Sequence, residues 1–298
     1  MTFNDNARLD TSKVQRRGTS TGGKIAIGGG IGAIALFLIS QFVGIDLTGL
    51  APMLGGGQSQ SQGQVNEAVE DVNLEHCKTG SDANEFVECR MAGAADSIDR
   101  YWSTQVSNYR APGTVLFSRS TNTACGSATS ATGPFYCPAD ETIYVDTDFF
   151  DTLKRDFNAS GGPLAQMYVL AHEWGHHISN LTGQMQQADR GGSGPASGSV
   201  RLELQADCFA GAWVQAASTV PDAAGVPYLK PVTQAEVADA LDAAAAVGDD
   251  RIQQAATGRV NPEGWTHGSA EQRQRWFAVG ADKGPTACAT FDVPANQL

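Results

Sequence analysis

Residues 163–182 read PLAQMYVLAHEWGHHISNLT, and the reading of the whole chain turns on this stretch. Ser160 and Gly161 can open a helix, Pro163 suits its first turn, and Gly183 can close it. Leu164, Tyr168, Ala171, Gly175 and Ile178 recur at helical spacing and mark one packed face. Within the helix lies His172-Glu173-Trp174-Gly175-His176, an H-E-x-x-H pattern. Its i, i+4 spacing sets both imidazoles on one side, one turn apart, where both reach a single Zn2+. Glu173 then stands beside a zinc-activated water as general base. The chain has only five histidines, and three of them fall within 172–177, so the pattern is not an accident of composition. His177 lies about 100° around the helix from His176 and is read as a supporting or solvent-facing residue, not a ligand.

A catalytic zinc takes three protein ligands and keeps one position open. The extended H-E-x-x-H-x-x-G-x-x-H form fails, because Ser179 and Thr182 stand where Gly and His would be. A second helix, read over 200–214 as VRLELQADCFAGAWV, carries Glu203 and Asp207, again at i, i+4. Two acids on an otherwise apolar segment are costly to bury unless something positive receives them. Glu203 is therefore expected as the third metal ligand, with Asp207 accepting a hydrogen bond from a ligand histidine and fixing its tautomer. The plain alternative is that both acids face solvent. His267 and His76 are rival third ligands without a framing carboxylate.

Working outward, Glu141–Asp146 (ETIYVD) follows the turn residues Pro138-Ala-Asp and reads as a strand, either an exposed edge able to pair with an extended peptide or an interior strand. Thr233-x-x-Glu236 and Ser269-x-x-Gln272 are capping boxes opening two further helices. His267, in the turn Trp265–Ser269, is a candidate for stabilising the oxyanion of a tetrahedral intermediate, or else a structural turn histidine.

Ahead of the domain, Ile25–Ile45 carries no charged residue and is long enough to cross a bilayer as a helix. Arg8, Lys13, Arg16, Arg17 and Lys24 precede it, so the positive-inside rule gives a cytoplasmic tail (1–24), a transmembrane helix (25–45) and everything after it outside. Residues 46–69 read as a flexible Gly/Ser/Gln-rich linker, and 70–298 as the folded domain. This organisation places the protein in the cell membrane as a single-pass chain with its domain extracytoplasmic. A chain of 298 residues that is 41% hydrophobic has ample material for a core, and a formal net charge of −12 argues against a nucleic-acid partner. All six cysteines (Cys77, Cys89, Cys125, Cys137, Cys208 and Cys288) follow the apolar run, and none forms C-x-x-C. Near-neighbour pairing gives Cys77–Cys89 and Cys125–Cys137 and leaves Cys208–Cys288; the alternative is buried thiols in a reducing compartment.

Four separated blocks now stand out: CGSATSATGPFYCPADETIYVD (125–146), AHEWGHHISNLTG (171–183), ELQADCFAGAW (203–213) and THGSAEQRQRWF (266–277). Together with the apolar run and linker, they resemble the bacterial membrane-anchored "putative neutral zinc metallopeptidases" over roughly residues 70–290. The resemblance implies an α+β, zincin-like metallopeptidase domain behind an N-terminal transmembrane helix, mainly helical with a small sheet beside the active-site helix. It implies Zn2+ held by His172, His176 and Glu203, with Glu173 as catalyst and a peptide or protein as substrate. A non-catalytic zincin-fold envelope scaffold or binding protein is the alternative.

Overall fold

In the computed structural model, residues 2–17, 73–130, 132–157, 159–188 and 192–298 are described. Strand β1 (Val14–Arg17) opens a four-stranded sheet with β2 (Gly113–Phe117), β6 (Thr142–Asp146) and β5 (Phe135–Cys137), in the order β1-β2-β6-β5. β1, β2 and β6 run parallel, with Val14 opposite Thr114 and Thr114 opposite Ile143; β5 is antiparallel to β6. β3 (Ser120–Thr123) and β4 (Gly126–Thr129) form a separate antiparallel ribbon.

β6 is the strand read at 141–146, and it is interior. Ile143, Tyr144 and Val145 are all buried, the near-continuous apolar run of a strand covered on both faces. The outer edge belongs to the shorter β5.

The rest is helical. α1 (Gly80–Glu85) and α2 (Val87–Gln105) precede the sheet, and α3 (Phe149–Phe157) follows it. α4 (Pro163–Leu181) is the H-E-x-x-H helix. It begins with Pro163 in its first turn and is followed by Gly183 at φ 81°, a left-handed conformation that favours glycine. After the short α5 (Gln184–Gln187) comes α6 (Gly198–Ala216), capped by Ser197, whose side chain accepts from the Val200 N–H. α7 (Gln234–Ala246) and α9 (Ala270–Lys283) open with the two capping boxes read from the sequence; α8 (Asp249–Thr257) lies between them. α6 packs against both α4 and α9. Gly211 and Gly280 let the α6 and α9 backbones touch: a Cβ on Gly280 would fall on the Cys208 carbonyl oxygen. One large core joins α2, α4, α6, α7 and α9 to the inner face of the sheet, with Trp102, Trp174 and Trp213 fully enclosed.

Three disulfides are present: Cys77–Cys89, Cys125–Cys137 and Cys208–Cys288, the pairs given by the near-neighbour reading. The last ties α6 to the segment after α9.

The mixed helix-and-sheet architecture is as expected, but its placement behind an N-terminal transmembrane helix is corrected. Among the described residues no helix is long and apolar enough to cross a membrane. The residues expected as a tail apart from the domain are part of it. Phe3 and Ala7 are fully buried in the main core, and Val14–Arg17 pair with β2. Arg17 before the apolar run and Asn73 after it thus belong to one folded body. The run 25–45 and the linker 46–69 lie outside the described residues.

Candidate metal centre

The centre forms where α4 crosses α6. A residue one turn along each helix reaches the same point, so the two i, i+4 pairs meet: His172 and His176 from α4, Glu203 and Asp207 from α6. The spacing between the helices is set by Gly175, whose absent side chain lets α4 approach Ala206 closely. His172 Nε2 lies 3.1 Å from Glu203 Oε2, and His176 Nε2 lies 3.4 Å from Glu203 Oε1. One ligand atom from each of His172, His176 and Glu203 falls within 4.8 Å of the others, and all three residues are buried. Two imidazoles and a carboxylate form a donor set found in catalytic zinc sites, and tetrahedral bonds of about 2.0–2.1 Å would put neighbouring ligand atoms about 3.3 Å apart. Each histidine nitrogen stands at about that distance from one oxygen of Glu203, and the donor chemistry of the three residues fits the ion.

Asp207 supports this set from behind. It is fully buried, and its Oδ1 accepts from His172 Nδ1 at 2.8 Å and from the Tyr168 hydroxyl at 2.5 Å. The Arg273 guanidinium, on α9, grips both oxygens: Nε donates to Oδ2 at 2.8 Å and Nη2 to Oδ1 at 3.0 Å. Such a two-point bond holds plane and position together. His172 is thereby oriented with Nδ1 spoken for and Nε2 aimed at the shared point.

The electrostatics ask for a cation. Glu173, Glu203 and Asp207 are three buried acids facing one buried guanidinium, and a divalent ion would balance them. Burial pushes the Glu173 carboxyl upward, and the neighbouring imidazoles only partly offset it. Burial would also raise Glu203, but His176 and His172 hold it well below the usual carboxylate range. Asp207 is likewise held low against burial, by Arg273 first and His172 next. For His172, burial disfavours the charged ring, yet Asp207 and Glu203 outweigh it and raise the group to about 10. A proton on His172 Nε2 occupies the place a metal would take.

His267 is buried in the turn before α9. Its Nδ1 lies 3.3 Å from Asp249 Oδ1, while Asp249 Oδ2 accepts the backbone N–H groups of Thr266, His267 and Gly268 at 2.7, 2.6 and 3.0 Å. Burial opposes a charged ring, but Asp249 and Glu203 raise its pKa. His267 is not in the three-residue cluster, and neither is His76, which adjoins the Cys77–Cys89 disulfide. His177 is neither solvent-facing nor in the cluster. It is fully buried, with Nδ1 3.0 Å from the Tyr136 hydroxyl on β5 and Nε2 2.8 Å from the Arg110 carbonyl, and so ties α4 to the edge strand.

Sequence reasoning missed Arg273, Tyr168 and Asp249. Tyr168 shares the apolar spacing that marks the core face of α4, and it serves both purposes. Arg273 sits one turn inside a helix whose capping box was read, but a single arginine in EQRQRWF carries no positional signal. Asp249 follows a glycine at a helix start, a place where acids are common without a further role.

The profile of the family described as "Putative neutral zinc metallopeptidase" matches residues 3–291. "Uncharacterized protein Rv2575" of Mycobacterium tuberculosis (strain H37Rv) is 48% identical over 296 residues, covering 98% of this chain and 99% of its own length. "Uncharacterized protein YpfJ" of Escherichia coli K12 is 36% identical over 299 residues, covering 95% and 97%. No solved structure matches. The matched span includes residues 3–17 as well as the metal centre, and the family's description implies Zn2+ as its cofactor and peptide hydrolysis as its class of activity. On the profile match and on relatives alike from end to end, this chain belongs to the neutral zinc metallopeptidase family.

Proposed function

We propose that this protein is a zinc-dependent peptidase that hydrolyses peptide bonds in peptide or protein substrates, with His172, His176 and Glu203 holding the metal. The observation that carries the reading is the convergence of these three side chains beside an acid, Glu173, that burial leaves with a raised proton affinity. Zinc held there supplies a Lewis acid that makes water a stronger acid and polarises the scissile carbonyl.

The remaining steps belong to the chain's own residues. Glu173 accepts the proton of the attacking water at a carboxylate oxygen and delivers it to the leaving amine nitrogen. Its raised proton affinity suits a group that must first take up a proton and then release it. Asp207 accepts from His172 Nδ1–H and keeps that ring in one tautomer through the cycle. Arg273 and Tyr168 keep Asp207 itself in place. Asp249 and Glu203 favour the charged His267 ring, and only as an imidazolium can it donate from Nε2 toward the carbonyl oxygen while Nδ1 is held by Asp249. The edge strand β5, tied to α4 through Tyr136 and His177, offers backbone groups to an extended substrate. Three disulfides support residence in an oxidising compartment outside the cytoplasm.

The test compares the full-length protein with Glu173→Gln. One zinc per chain in both, with chelator-sensitive peptide hydrolysis in the parent and none in the variant, is the expected result. Equal hydrolysis by a folded Glu173→Gln protein would overturn the role of Glu173. A folded parent that binds no zinc would overturn the ligand set.

A further inference from the structure

The N-terminal residues dock on the domain in the manner of a bound peptide. Residues 2–17 form two turns, at 5–6 and 12–13, and end in the strand Val14–Arg17, and 55 residues separate them from Asn73, where the described chain resumes. Both backbone and side-chain groups hold them. The Asn4 N–H donates to the Tyr228 carbonyl at 2.8 Å, Leu9 N–H to Lys78 at 3.0 Å, and Gly80 N–H to the Ala7 carbonyl at 2.8 Å. The Asn84 side-chain amide brackets Phe3, accepting from its N–H at 2.8 Å and donating to its carbonyl at 3.1 Å. Such an amide clamp and strand pairing are means by which proteins hold extended peptides. The Phe3 ring fills a fully buried pocket over Gly93 in the middle of α2.

The segment also reaches toward the metal helix. Lys13 pairs with the buried Asp99. Asp99 accepts from the Tyr109 hydroxyl at 2.8 Å, and Tyr109 in turn accepts from Trp174 Nε1 at 3.1 Å. Trp174 adjoins Glu173.

We propose that residues 2–17 are an intramolecular ligand of this domain, seated in a groove formed by α1, α2, the 220–230 loop and the β2 edge, and that their seating braces the metal helix through Asp99, Tyr109 and Trp174. A chain folded this way keeps its N-terminus in the same compartment as its metal centre. The docking does not depend on the peptidase reading; the brace rests on the metal assignment.

Gly93 gives a test by sign. A Cβ there would lie 2.6 Å from Phe3 Cε1 and 3.0 Å from Leu9 Cδ2 and Phe3 Cζ; the three nearest atoms all belong to the segment. In an unobstructed helix Gly→Ala stabilises, because glycine is a poor helix former. With the segment seated, Gly93→Ala in the full-length chain instead lowers the midpoint of thermal unfolding, by about 2–4 °C or more. In a Phe3→Ala background that loss shrinks or reverses. A raised midpoint in the parent background, or an identical effect in both, overturns the docking.

A second measurement needs no variant. Lys230 Nζ and Asp5 Oδ2 are exposed and 3.3 Å apart, so carbodiimide treatment of the full-length protein should join them in an amide seen by mass spectrometry. Coupling at other surface lysines without this link overturns the docking. The brace is read separately. Tyr109→Phe breaks the chain at its middle and should speed zinc loss to a chelator, by up to the roughly 10-fold seen at the low end for groups bonded directly to a ligand. Unchanged zinc retention together with the Gly93 sign result would remove the brace and leave the docking, whereas a parent that never binds zinc would indict the metal assignment instead.

Discussion

Gly175→Ala perturbs a close contact between α4 and α6 at the candidate metal centre. A Cβ at position 175 would lie 2.8 Å from Ala206 Cα, 3.0 Å from its carbonyl oxygen and 3.1 Å from its Cβ. Ordinary contact begins at 3.4 Å, and two of these neighbours are backbone, so α4 and α6 part by up to about 0.6 Å at this point to restore it. Position 175 lies between the histidines in sequence, and 206 lies between Glu203 and Asp207. The displacement therefore passes directly to the ligand atoms, widening separations of 3.1 and 3.4 Å. Against the roughly 3.3 Å that zinc asks for, they reach up to about 3.7–4.0 Å. A loss of about 10- to 100-fold in zinc affinity follows, comparable to removing a group that orients a ligand. Stability moves less. Alanine gains about 1 kcal/mol of helix propensity, and overpacking costs about 1–3 kcal/mol, for a net loss near 0–2 kcal/mol. Competition against a chromophoric chelator measures the affinity, and calorimetry measures the stability. A Gly175→Ala protein that binds zinc as tightly as the parent and unfolds at a higher temperature would refute the reasoning, because it would mean that the helices are not in contact there.

Three further outcomes are expected. Arg273→Met leaves the Asp207 carboxylate buried without its guanidinium, which should lower unfolding stability by about 3–5 kcal/mol, read as a lower urea midpoint at unchanged slope. Asp146 is wholly buried, its Oδ2 has no hydrogen-bond partner among the described residues, and burial raises its pKa. Its ionisation therefore opposes folding, a penalty absent below the unfolded value near 3.9 and growing as pH rises through the folded one. Asp146→Asn should then unfold at a higher temperature than the parent at pH 7, the difference closing by about pH 3, and a gap that is constant with pH would exclude this cause. Finally, stripping the metal removes about 2.7 kcal/mol of stability if free zinc had stood 100-fold above its dissociation constant, so the unfolding midpoint should fall with chelator and recover on adding zinc.

The sequence by itself carried what depends on neighbours along the chain. The H-E-x-x-H helix, its proline start and glycine stop, the Glu203–Asp207 helix and both capping boxes are short-range patterns, each set by spacing within a turn or two. The pairing of near-neighbour cysteines is local in the same sense. Even the meeting of the two helices was legible, because buried acids and a histidine pair each lack a partner and together supply one.

What only the tertiary structure decided lies at long range. Asp207 meets Arg273 across 66 positions, and no periodicity links an arginine in one helix to a carboxylate in another. Whether β6 was an edge or an interior strand depended on β2 and β5 arriving on either side. Most of all, residues 2–17 looked like a basic tail, because their charges were counted and their backbone could not be. In the fold, that backbone finds its hydrogen-bond partners in α1, the 220–230 loop and β2, and Phe3 finds a pocket that exists only where Gly93 leaves room. Charge and hydropathy are properties of residues and can be read singly, whereas a groove is a property of segments brought together and appears only once the chain has folded.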